Sequence, residues 1–386
     1  MRTIRWLFSA LLFLWVLETP AFAQQIGKYV PVQAGSEADH ALAEINATTD
    51  PAKKLELIQQ FVDGPGKEGD YPLLAYGLFV DYYLGQKNYD KVFEYGEKVF
   101  ALDRDNFQNA VNMVRAAAEK GDVGKLISYG ETSSAIMQRF KASAVPAGTS
   151  DAVWAEQKAR TLEANKDNYT YVQQLVLNGV YQARDPAKRA PMLVKFAAIF
   201  PDSPYAVQAL GVAATAYQQA QNTPKMLEVA NGLLAKDPNN LGMLLLLSDY
   251  YCDKVDQLDM AAAFAKKAIS LLATAQKPEN LTDQQWAQQK ALQKGLALSS
   301  LGQVNIGKKD DAQAVENLKA ASPLLKPDDA SYAQNQYRLG FALLNLKRNA
   351  EAKDAFTQAA SVNSPYKAMA LDKLKSLAAP PKKKAS

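Results

Sequence analysis

Apolar positions along this chain recur in a two-helix rhythm. Tyr76, Tyr83, Tyr89, Val92, Val99 and Leu102 mark a pair of amphipathic helices that closes at Asp103. A shift of 34 residues brings Ala110, Ala117, Val123, Leu126 and Ser133 to the same places, with Gly121-Asp122 as the turn. Tyr95-Gly96-Glu97 returns as Tyr129-Gly130-Glu131 in the same register. No stretch alternates convincingly as a strand would, so the pattern predicts an all-helical chain.

Further pairs follow downstream. One is marked by Leu210, Tyr217, Met226, Ala230 and Leu233 and closes at Asp237-Pro238-Asn239-Asn240. A looser one has Tyr250-Tyr251, Ala261, Ala265 and Ala268. Leu301-Gly302 pairs with Ala314, Leu318 and Ala321, and Leu339-Gly340 with Ala352, Phe356 and Ala359. Glycine or alanine at a helix crossing lets two backbones approach, and a large residue beside it fills the remaining space. A longer repeat overlies the short one. Asp50-Pro51-Ala52-Lys53-Lys54 reappears as Asp185-Pro186-Ala187-Lys188-Arg189, and the Asp-Pro step is a helix start, carboxylate cap followed by a proline suited to the first turn. Tyr71, Tyr83, Asp103 and Asn106 match Tyr205, Tyr217, Asp237 and Asn240 at a shift of 134, and the segments beginning Asp151 and Asp283 match at 132. The expected organisation is a 1–23 leader, a 24–49 segment with a short helix, related modules at 50–184 and 185–308, C-terminal repeats at 309–375, and a disordered tail at 376–386.

A 34-residue period of paired helices resembles the tetratricopeptide repeat family, over roughly residues 50 to 375. The fold this implies is an all-α, right-handed superhelical solenoid of antiparallel helix pairs in two tandem related modules. The chain departs from the pattern in places. Arg104 stands where a closing proline is usual, and Val80 and Val114 replace the small crossing residue, so those units are expected to pack more loosely. Phe200-Pro201-Asp202-Ser203-Pro204-Tyr205-Ala206, and more faintly Asn363-Ser364-Pro365-Tyr366, is similar to repeats of bacterial envelope proteins, such as outer-membrane assembly lipoproteins and Tol–Pal-associated periplasmic proteins.

The N-terminus fits an export signal. Arg2 and Arg5 precede an apolar core from Trp6 to Leu17, and Ala21-Phe22-Ala23 is a small-x-small cleavage site before Gln24. Those 12 apolar residues are too few for a span, which needs roughly 20. The expectation is a periplasmic or secreted protein cleaved after Ala23. Removing Arg2, Arg5 and Glu18 from 44 basic and 40 acidic side chains leaves 42 against 39. Lys382, Lys383 and Lys384 account for three of those basic groups. A body so close to neutral argues against nucleic acid as a partner. The lysine tail is expected to solubilise, with weak contact to anionic envelope polymers as the other reading.

Catalytic material is thin. His40, the single histidine, precedes the repeats, and Cys252 is the single cysteine, so no Ser-His-Asp or Cys-His set lies within the repeats and no metal site built on His and Cys is available. The expectation is a non-enzyme without cofactor or metal that binds a protein or extended peptide. The resemblance implies a concave groove lined by the first helix of each pair. Carried over by register, its positions are Arg115 and Glu119, then Gln208, Thr215, Gln218 and Gln219. Ser299 and Gln303 follow, and finally Gln334, Tyr337, Phe341 and Asn345. Amide side chains both donate and accept, which suits the backbone of an extended segment. The alternative site is the repeated Trp motif: Trp154 with Lys158, and Trp286 with Lys290, each pair one helical turn apart. It reads either as a stacking platform for a cell-wall glycan or as an anchor for a helix that follows a loop.

Overall fold

The computed structural model describes residues 25–378. The proposed leader, its cleavage site and Lys382 to Lys384 lie outside the described residues. These residues form two compact units, one made of residues up to 184 with 195–206, the other of 185–194 with 207 onward. Among the described residues there are seventeen α-helices and no strand.

The first unit begins with a non-helical strap, residues 25–35, that leads into α1 (Glu37–Ala47) and α2 (Pro51–Asp63). The Asp50 carboxylate accepts the Lys53 amide at 2.7 Å, so the Asp-Pro step caps α2 as the sequence predicts. Two repeat pairs follow: α3 (Tyr71–Gly85) with α4 (Tyr89–Leu102), and α5 (Phe107–Lys120) with α6 (Val123–Ala142). Then come α7 (Asp151–Tyr181) and the end of α8 (Pro186–Ile199). The first helices form one layer, with α5 packed on both α3 and α7. The core between layers is aromatic at one end, where Phe79 stacks on Tyr95 at 4.3 Å.

Val80 and Val114 do not loosen their units, contrary to the expectation from the missing small residue. Both are buried, at 1% and 0% exposed. A Cβ on Gly96 would lie 2.2 Å from the Met113 sulfur, and one on Gly130 2.7 Å from Val176. These close approaches join each second helix to the first helix of the next pair, α4 to α5 and α6 to α7.

In the second unit α9 (Ala206–Gln219) pairs with α10 (Thr223–Lys236), α11 (Leu241–Tyr251) with α12 (Leu258–Thr274), α13 (Asp283–Gly307) with α14 (Asp311–Leu325), and α15 (Asp329–Asn345) with α16 (Asn349–Ser361). The last helix, α17 (Tyr366–Ala378), packs on α15 and α16. Its end takes in the first residues of the expected tail. The first helices again share a layer, with α13 in contact with both α11 and α15. A Cβ on Gly302 would lie 2.4 Å from Leu318, and one on Gly340 2.6 Å from Phe356. These crossings place glycine in the first helix and the large residue in the second, as the sequence predicts.

The two Trp segments are not extra helices. They are the opening turns of α7 and α13, which run 31 and 25 residues without a break. Nothing from Asp151 to Asn178 stops a helix, as no proline or glycine occurs there. Thr282 and Gln285 form the reciprocal capping box at the start of α13. The Ser150 hydroxyl accepts the Val153 amide at 3.4 Å.

Candidate functional site

In the first unit the faces of α3, α5 and α7 border a cavity of about 800 Å³. Leucines 73, 74 and 78 line it, strap residues from Gln25 to Val32 border it, and its polar groups include Asp81, Gln108 and Asn112. Asn112 donates to the Asp81 carboxylate at 2.9 Å, and Gln108 donates to Asn112 at 3.3 Å. Burial pushes the Asp81 carboxyl above its ordinary range, against the opposing effects of the Asn112 hydrogen bond and Lys54. Arg115 and Glu119 lie one and two turns further along the α5 stripe that carries Gln108 and Asn112. They pair with each other at 2.7 Å, and Tyr89 donates to Glu119 at 2.9 Å. The Arg115 hydrogen bond holds Glu119 below the usual carboxylate range despite partial burial.

In the second unit the corresponding face carries an ionic cluster. Arg338 on α15 is 5% exposed. Its guanidinium donates to Asp249 at 3.0 Å, to the Cys252 sulfur at 3.3 Å and to Ser299 at 3.3 Å, with Asp253 at 3.7 Å. Burial opposes the arginine's charge, yet Asp249, Cys252 and Asp253 outweigh it and raise its pKa. Burial likewise pushes the Cys252 thiol up to about 12 and raises Asp253, in each case against the nearby guanidinium. A buried thiol so far from ionisation is not a nucleophile at neutral pH. Predicted residues close the cluster: Gln334 donates to Asp249 at 3.3 Å, and Gln303 is hydrogen-bonded to Asp253.

The other predicted residues fall in several places. Gln208, Thr215 and Gln219 are exposed on α9 and Gln218 is half-buried, with the Thr215 hydroxyl donating to the Gly211 carbonyl at 3.2 Å. Asn345 donates to Asp311 at 2.8 Å. Tyr337 and Phe341 are half-buried and pack edge-on against Phe356, 5.7 and 5.8 Å between ring centroids, with Tyr366 of α17 beside Tyr337. Trp154 stands edge-on to Phe140 and its indole N–H donates to the Ser143 carbonyl at 3.5 Å. Lys158 lies 5.3 Å from the Trp154 ring and donates to the same carbonyl at 2.7 Å. Trp286 and Lys290 repeat the cation–π pairing at 5.7 Å.

Three elements of these faces escape sequence reasoning. Asp81 sits 34 residues before Arg115, so the register itself could have found it. Arg338 is a charge among packing positions, but its acidic partners lie almost ninety residues upstream. The strap carries no repeat signal at all.

No family model matches the chain, and no curated protein matches it. Solved structures that it resembles include the anaphase-promoting complex hetero-tetramer Cut9–Hcn1, at TM-score 0.43 and 12% identity over 89% of this chain and 63% of that one. NprR in complex with its cognate peptide NprX aligns at TM-score 0.37 and 15% identity, covering 77% of this chain and 80% of that one. The P58(IPK) TPR domain aligns at 0.24 and 15%, covering 89% and 98%. The class rests on the chain's own geometry: paired helices, small-on-large crossings in register, and first helices sharing one layer. It is an all-helical protein built of repeated antiparallel helix pairs.

Proposed function

We propose that this chain is a non-enzymatic scaffold, exported to the cell envelope, that binds a protein or extended peptide along the layer of first helices. The observation that carries this reading is the first unit's inner face. The corner between α4 and α5 already engages a non-helical backbone, the Phe107 amide donating to the Ile26 carbonyl at 3.1 Å and the Lys28 amide to the Asp103 carboxylate at 2.8 Å. In the second unit, Asp249 and Asp253 keep 36% and 58% of their side-chain surface exposed, so the cluster offers acceptors beside Gln303 and Gln334. Export rests on the N-terminal signal pattern, and the envelope role on the Phe200–Ala206 resemblance. Trp154 and Lys158 hold the turn before α7 through the Ser143 carbonyl, which favours anchoring over glycan stacking there.

The test is affinity capture from envelope extract with residues 24–386. The comparison protein carries Gln303→Ala, Gln334→Ala, Gln218→Ala and Gln219→Ala. Specific proteins retained by the wild type and lost by the variant support the scaffold. Equal retention by both rejects these positions as the binding surface.

A further inference from the structure

The strap has the geometry of a bound ligand rather than of a connecting loop. Ile26 and Val30 are 2% and 8% exposed although they belong to no helix, whereas Tyr29 between them is 50% exposed. Two main-chain groups, the Ile26 carbonyl and the Lys28 amide, bond to the corner between α4 and α5. The Lys28 ammonium then reaches Asp70 at the start of α3, 2.6 Å away. Gly27 has φ +120°, and a Cβ there would stand 2.6 Å from the Asp103 carboxylate and 3.0 Å from the Asn106 backbone. Only glycine fits. The strap thus satisfies a pattern of two apolar sockets, one position closed to any side chain, and one cation facing Asp70. It leaves the cavity of about 800 Å³ beside it, with Asp81, Gln108 and Asn112 on the walls.

We propose that this face of the first unit is a peptide-docking channel which residues 25–33 occupy as a built-in competitor. The partner it accepts is a non-helical protein segment with an apolar residue, a glycine and a lysine in succession, then a second apolar residue two positions on. This rests on the scaffold reading above and specifies one of its sites. A tethered segment competes at an effective concentration of order millimolar, so a free segment making only the same contacts is excluded. A partner enters when it adds contacts in the neighbouring cavity, and its apparent affinity falls by the fraction of time the strap is seated.

The experiment uses the full mature chain and a fluorescent peptide of residues 24–33, Gln-Gln-Ile-Gly-Lys-Tyr-Val-Pro-Val-Gln. In the Gly27→Val protein the strap cannot seat, and fluorescence anisotropy is expected to show peptide binding at least tenfold tighter than to the wild type. A peptide with the same valine should not bind either protein. Absence of binding to a Gly27→Val chain that keeps its helical circular dichroism, or equal binding to both proteins, overturns the proposal. If Gly27→Val does not fold, Ile26→Ser with Val30→Ser gives the same reading, since neither residue lies in a helix. Envelope capture by the wild type that persists when the peptide fails would leave the scaffold standing and remove only this site.

Discussion

Each tight turn between paired helices places one residue in the left-handed region. They are Lys87, Gly121, Gln221, Lys309 and Lys347, with φ between 55° and 74°. In all five, the amide after that residue bonds the carbonyl five positions earlier, as Asn88 does to Tyr83 and Arg348 to Leu343. Only one of the five is glycine, so the others carry a Cβ in a conformation that costs about 1–2 kcal/mol. Lys309→Gly should therefore raise stability by up to about 1 kcal/mol, and Gly121→Lys should lower it by a similar amount. Denaturant midpoints at unchanged slope would show this, and no shift in either direction would mean the turns relax around the side chain. Asp81 makes a second prediction at this scale. Its pKa is raised above 3.8, so the folded form gains from the proton, and stability falls as pH rises through the folded value. Asp81→Asn keeps an acceptor for Asn112 and removes the partly desolvated charge. It should stabilise at pH 7 and have no effect below the unfolded pKa, checked by melts across that range.

Among elements, the decisive feature is what crosses between helices. Gly340 faces Phe356 across the α15–α16 crossing with no room for a methyl group. Gly340→Val should cost about 1–3 kcal/mol through overpacking, with partial recovery from Phe356→Leu. Additive losses in the double variant would exclude that contact as the cause. Arg338 ties α15 to α11 and α13 through Asp249, Cys252 and Ser299. Arg338→Ala strands two carboxylates and opens a cavity, at a cost of about 3 kcal/mol, the low end for a broken buried pair because both carboxylates are partly solvated. Adding Asp249→Asn and Asp253→Asn should restore part of that loss in the same unfolding assay.

Across the whole chain, repeats couple mainly to their neighbours, so damage should stay local. Gly340→Val is expected to lower hydrogen-exchange protection in α15, α16 and α17 while the amides of α3 to α6 keep theirs. Uniform loss of protection across the chain would instead indicate one cooperative unit.

The sequence alone determined that the chain is helical, that its helices come in pairs, and that the Asp50-Pro51 step caps one of them. Those properties depend on residues three to five apart, and Asp50, Thr282 and Gly340 each declare themselves locally. It also singled out Gln303 and Gln334, because register carries a residue to a given face of its helix. Tertiary structure decided what those residues meet. Gly96 and Gly130 meet Met113 and Val176 of the following pair, and Trp154 spends its indole on Phe140 and Ser143. Arg338 finds its carboxylates from a different pair, and the strap finds a channel prepared by helices forty to eighty residues further on. Local periodicity fixes which way a side chain points, but contacts between segments far apart in sequence depend on which surfaces stacking brings together.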